Sequence, residues 1–244
     1  MVAVSSGLLS QHEKIDTTFD FRSDTPPGGD PDELSPSLRR YHKLLWSKRL
    51  ASGVFFELDD TKRGVYLYHR SQVGEFFLSS DGAIPSFRKE KCLTHVFDQI
   101  SLEERETFQR LAYTIGGMML FPGNRVDRKM TINGARGFHP SIKDRFDLTV
   151  ECIRRHYCNE HSPLSDTLER YATFFGLFEN FRGYVEYFLL QDLVTEDSSA
   201  VRFFMPFANF TTSPVPASLD AYKAYCQSAA GFIDARSRRI LQSC

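Results

Sequence analysis

The chain lacks every cysteine pattern that would staple or metallate it. Its five cysteines, Cys92, Cys152, Cys158, Cys226 and Cys244, are odd in number, form no CxxC pair and share no zinc-binding spacing with histidine. Reduced thiols and a cytoplasmic setting are expected. Long apolar runs are also missing: no stretch of about 18 residues is apolar enough to span a bilayer. The N-terminus MVAVSSGLLSQHEK lacks the basic region and apolar stretch of a secretion signal. Neither secretion nor a membrane partner is expected. Charge of one sign is absent too, since 30 Lys and Arg stand against 31 Asp and Glu, a formal net charge of −1. Bulk electrostatics draw the chain to neither nucleic acid nor an anionic surface, so only local patches matter. GxSxG, HExxH, kinase, Walker A and dinucleotide signatures are absent, as are internal repeats and low-complexity segments. That argues against familiar hydrolases.

The 244 residues are 41% hydrophobic and 14% aromatic, enough to bury a full core. Residues 1–36 read as a flexible, acidic, Pro/Gly-rich arm in which Phe19 and Phe21 are placed to anchor it, and 37–244 as a single domain. Ser35-Pro36 opens a short helix, SPSLRRYHKLLW, with proline at a favoured first position. The runs VFFEL, GVYLYHR and GEFFLSSD predict a small antiparallel sheet. From residue 102 the period is mostly helical, through LEERETFQRLAYTIGGMML, SIKDRFDLTVECIRRHY, SDTLERYATFFGLFENF, GYVEYFLLQDLV and SLDAYKAYCQSAAGFIDARSRRILQSC. Ser101, Ser141, Ser165 and Ser218 stand where helix N-caps are expected. The fold class is α+β: a small N-terminal antiparallel sheet packed on a mainly helical C-terminal body.

The densest chemical signal is GNRVDRKMTINGARGFHP, residues 123–140. Its glycines and asparagines permit positive φ and close backbone approach, while Arg125, Arg128, Lys129 and Arg136 supply charge. The segment leads into a predicted helix start, which attracts anions. A phosphate-bearing ligand, a nucleotide or a nucleic-acid end, is therefore expected here. Arg125, Lys129 and Arg136 would hold phosphate, Asn133 would orient the ligand, and His139 with Asp144 would be the acid/base pair. The competing reading is a β-hairpin with RKMTIN as one strand.

In the helix predicted over 141–157, Ile142, Phe146, Val150, Ile153 and Tyr157 share a face that Leu148 and Cys152 widen, which places the helix deep in the domain. Arg145 projects from that apolar arc and needs a carboxylate, carbonyls or a ligand phosphate. Asp144, Asp147 and Glu151 line the opposite side with Arg154. They read as a solvated face, a buried network, or the carboxylates of a metal-dependent nuclease. His69 is expected as a half-exposed sheet histidine and Trp46 as a core anchor or a stacking surface.

The stretches FDFRSDTPPGGDPDELSPSLRRYHKLLWSK, FPGNRVDRKMTINGARG, IKDRFDLTVECIRRHY and SPLSDTLERY resemble a family of uncharacterised bacterial and phage-associated proteins. The resemblance covers most of the chain and implies a cytoplasmic prokaryotic setting, with no activity, catalytic residue or cofactor attached. The cofactor is therefore unknown. A second functional reading follows, a non-enzymatic interaction module in a phage-related or defence setting, docking a protein partner through the N-terminal arm.

Overall fold

The computed structural model describes residues 14–61, 67–85, 87 and 90–243. Most of the expected N-terminal tail and the first part of the strand expected over 64–70 lie outside the described residues. Two helices, α1 (Pro31–Leu34) and α2 (Pro36–Trp46), precede a short antiparallel hairpin of β1 (Lys48–Arg49) and β2 (Phe55–Phe56). Strands β3 (Leu67–Ser71), β4 (Gly74–Gly82) and β5 (Met118–Pro122) form an antiparallel sheet in the order β3-β4-β5, with α3 (Thr94–Phe97) and α4 (Leu102–Ala112) between the last two. There follow α5 (Ile132–Phe138), α6 (Phe146–Tyr157), α7 (Ser165–Glu169), α8 (Ala172–Gly176), α9 (Phe181–Tyr187) and the long α10 (Leu219–Ser243). The class is α+β, with small antiparallel sheets beside a helical C-terminal body. No helix among the described residues is long and apolar enough to cross a membrane.

Local chemistry accounts for several of these boundaries. Ser35 caps α2 by accepting from the Leu38 amide at 3.1 Å, with Pro36 at the first helical position. Ser101 and Glu104 complete a capping box on α4. The expected helix over 102–120 is shorter than predicted, because the chain turns through Gly116 and Gly117 and gives Met118–Pro122 to the sheet. A Cβ at Gly116 would sit 2.6 Å from the Ile233 carbonyl, so the missing side chain is what lets α10 lie this close. The 165–190 region breaks into α7, α8 and α9, with Glu179 and Leu189 left-handed and Asn180 capping α9. RKMTIN is not a strand: Thr131 caps α5 by accepting from the Gly134 amide at 3.3 Å. Nor does Ser141 start the next helix. Residues 139–144 form turns, and α6 begins at Phe146.

The segment expected as an arm lies against the body from Ile15 onward. Phe21 is fully buried and its amide donates to the Tyr113 carbonyl at 3.1 Å, while Arg22 bridges Asp20 and Glu106 at 2.6 and 2.7 Å. Trp46 is a core anchor, buried and stacked against Tyr187. His69 is buried rather than half-exposed, stacked on Phe56 at 4.0 Å between the Glu57 carbonyl and Ser71 Oγ. The two faces of β4 go to different helices, as a period of two requires. Ser80 meets His42 of α2 at 2.9 Å, whereas Ser79 and Asp81 meet Asn133 and Arg136 of α5. That alternation carries Asp81 to the site described next.

Candidate functional site

Arg136, on α5, is fully buried. Its Nη1 lies 2.6 Å from Asp81 Oδ2 and 2.7 Å from Asp144 Oδ1, and donates to the Gly82 carbonyl at 3.2 Å. Nη2 donates to the Asp144 carbonyl at 2.6 Å, and Nε to Thr149 Oγ1 at 3.1 Å. Every guanidinium nitrogen is thus engaged within the protein. Burial opposes its charge, but Asp144 and Asp81 outweigh that penalty and hold it protonated. The turn bearing Asp144 is shaped to fit: Lys143 and Asp144 are consecutive left-handed residues, φ 48° and 64°, and the Asp144 amide donates to the Arg136 carbonyl at 3.0 Å. Non-glycine residues adopt that conformation at a cost of about 1–2 kcal/mol each, so contacts around them must hold it.

A third carboxyl joins this pair from the far end of the sequence. Asp30 caps α1, Pro31 fills its first position, and Asp32 follows, with its Oδ2 accepting from the Gly82 amide at 3.1 Å. Asp32 Oδ1 is enclosed and has no hydrogen-bond partner among the described residues. Burial, then the neighbouring Asp81 and Asp30, push the Asp32 carboxyl up to about 8. Burial also raises Asp81, to about 6, even though Arg136 pulls it down. One buried guanidinium therefore touches both Asp81 and Asp144, and Asp32 makes no ion pair among the described residues.

Asp32, Asp81 and Asp144 line a cleft of about 550 Å³, with the Arg136 guanidinium buried behind them. Its walls include Phe87, Phe108 and Tyr113, with Phe138 at the rim, 79% exposed despite its size. Glu90 and Lys143 also line it and pair with each other at 3.1 Å. Carboxyls that titrate near neutrality in an aromatic-walled cleft can exchange protons with a bound molecule or neutralise its positive charge.

The residues expected from sequence are divided by this geometry. Arg136 and Asp144 come together, Asp144 lining the cleft and Arg136 buried behind it. His139 ends α5 and does not line it; its Nδ1 accepts from the Ser141 amide at 3.2 Å. Arg125 and Lys129 are exposed on the 123–130 loop with Arg128. Asn133 donates to Ser79 Oγ and the Ser80 carbonyl at 3.1 and 3.3 Å, with its Oδ1 enclosed and unpartnered among the described residues. Arg145 is buried elsewhere, paired with Asp147, which also accepts from the Phe204 amide at 2.8 Å and so ties residue 204 to α6. Glu151 holds Arg154 and Arg155 at 2.8 and 2.7 Å. The three carboxylates of the predicted stripe thus answer different arginines, and no cluster among the described residues has the makings of a metal site. Sequence reading missed Asp32 and Asp81. The only trace of the first was the Asp-Pro-Asp helix opening, and of the second its alternate position in GEFFLSSD.

No curated protein and no solved structure matches the chain. A family model described as a family of unknown function, DUF6994, matches residues 15–240, from the first buried residue of the docked arm to the end of the last helix's buried face. The chain that builds this cleft belongs to that family.

Proposed function

We propose that the protein binds a small molecule in the cleft formed by α1, the end of β4, α4 and the turn after α5, with the Asp32–Asp81 carboxyl pair available for proton exchange. The observation that carries this reading is Asp32. Among the described residues its Oδ1 is enclosed without a partner, beside Asp30 and Asp81, at the wall of an open cleft. Such a group costs stability wherever it ionises, and a residue that costs stability at a cleft is a mark of function. The test is thermal unfolding of the full chain against a panel of amines, sugars, carboxylates and nucleotides, with Asp32→Asn and Gln109→Trp alongside. The second variant fills the cleft from α4 without removing a charge. A ligand at a hundred times its dissociation constant adds about 2.7 kcal/mol, so a shift that both variants abolish supports the cleft. A shift that survives both places the ligand elsewhere.

A phosphate-bearing ligand at the 123–140 loop is the second reading. It is favoured by Arg125, Arg128 and Lys129, three exposed cations within five residues with no acidic partner among the described residues. Arg136 and Asn133 contribute little to it, since both are turned to the sheet. An oligonucleotide would then bind with an affinity that falls steeply with salt, and less steeply after Arg125→Ala and Lys129→Ala. Salt-independent binding would remove this reading. The partner-docking role of the arm has less support, because Phe21 is already spent on the body of its own chain. A cytoplasmic, prokaryotic and phage-related setting belongs to the same proposal, in keeping with the free thiols of Cys152, Cys158 and Cys226.

A further inference from the structure

Helix α4 runs for 11 residues and buries none of them fully. A helix on a globular body ordinarily sinks an apolar stripe into it, but Phe108 and Leu111 of α4 stay half-buried. They wall a groove of about 850 Å³ whose other side is a stripe of α10: Cys226, Ala230, Ser237 and the exposed Leu241. Four charged residues line it in a definite order, because α4 and α10 run in the same direction. Lys223 meets Glu104 at 3.5 Å at one end, and Arg236 reaches the Gly116 carbonyl, beyond the end of α4, at 3.0 Å at the other. With a rise of about 1.5 Å per residue from the Glu104–Lys223 level, Glu103, Arg110, Asp234 and Arg238 stand at about −2, 9, 17 and 23 Å. None of the four makes an ion pair among the described residues, and Arg110 acts on Asp20 and Glu106 only at longer range.

The signs alternate, minus, plus, minus, plus, so the series turned end for end meets its opposite at every position. A two-fold axis across the groove sets Glu103 against the partner's Arg238 and Arg110 against the partner's Asp234. Both pairs are centred at about 11–13 Å, level with Ala230 and Leu111, where the groove is apolar. Within one chain Glu103 and Arg238 are about 24 Å apart along the groove, too far to answer each other. We infer that this face is the two-fold interface of a homodimer: the same patch on both copies, apolar at its centre with ion pairs at its rim. The inference goes beyond the cleft and does not depend on it.

Sedimentation velocity on the full chain at pH 7, across concentration and at two salt levels, tests it. The expected result is a species of twice the chain's mass that dissociates on dilution, and more readily in high salt. By symmetry each reversal, Glu103→Arg or Arg238→Glu, sets like charges together twice, so each should weaken dimerisation by at least about tenfold. Both reversals in one chain restore the pairing, and the dimer with it. Both side chains are exposed, and a parent-like unfolding midpoint in each variant excludes misfolding as the cause. A monomer at every concentration up to about 0.5 mM overturns the inference and leaves the groove to residues 1–13, which precede Thr17 on its wall, or to another protein. A dimer that ignores both single reversals is built on another face, and one that the double variant fails to restore is not paired end for end. Either result also overturns the inference.

Discussion

At the scale of single residues, Arg136 and Asp32 have opposite effects on the fold. Removing the Arg136 side chain takes from Asp81 the guanidinium it touches at 2.6 Å, and breaking a buried pair this way costs about 3–5 kcal/mol. Arg136→Ala should therefore lower the urea midpoint sharply or prevent folding, and a parent-like midpoint would show that the network carries little energy. Asp32 works the other way. Its carboxyl stays protonated in the folded state up to about pH 8, whereas in the unfolded chain it ionises near the ordinary carboxylate value of 3.8. The folded state thus binds the extra proton between these limits, and stability falls as pH rises through them. Asp32→Asn has no such penalty, so its stability relative to the parent should climb from pH 4 to 8, read from urea midpoints at successive pH values. Little of this was legible in the sequence. The place of Arg145 on an apolar arc called for a partner, whether a carboxylate, carbonyls or a ligand phosphate, but not for Asp147 in particular. The burial of Arg136 was not legible, because it depends on Asp81, 55 positions away.

At the scale of elements, the close approach of α10 to the turn before β5 depends on Gly116, whose added Cβ would meet Ser237 Oγ at 2.3 Å and the Ile233 carbonyl at 2.6 Å. Gly116→Ala should cost about 1–3 kcal/mol as an overpacked contact, visible as a lower unfolding temperature. The docked arm makes a parallel case: Phe21→Ala empties a fully buried site and should cost about 3–5 kcal/mol, while also opening residues 14–30 to protease. Helix starts with side-chain caps, at Ser35 and Ser101, were readable because cap and periodicity are local. The helix expected from Ser141 was not, since Arg136 holds the Asp144 carbonyl and bends the chain into left-handed turns before α6 can begin. Likewise MMLFP has no helix-or-strand signature of its own. Pairing with β4 decides it.

At the scale of the whole molecule, two groups packed against β4, Asp32 and His42, set opposing pH slopes. His42 accepts from Trp46 Nε1 at Nδ1, 3.0 Å away, so its Nε2 carries the proton toward Ser80. Burial, with Arg236 nearby, lowers His42 from 6.5 to about 3. The unfolded chain takes up that proton first, so stability falls as pH drops from about 6.5 to 3. The Asp32 and His42 slopes offset each other between pH 4 and 6.5 and separate outside that range. The α+β class was legible because it rests on local periodicities, and the cleft was not, because its three carboxylates and one arginine come from three distant parts of the chain. The most direct measurement is urea unfolding of the parent and Asp32→Asn at pH 5 and pH 9. A gain in stability for the variant that is larger at pH 9 than at pH 5 is the result expected of an uncompensated carboxyl at a cleft. A variant equal to or weaker than the parent at both pH values would mean that Asp32 is an ordinary structural acid, and the cleft would lose its claim to be the site.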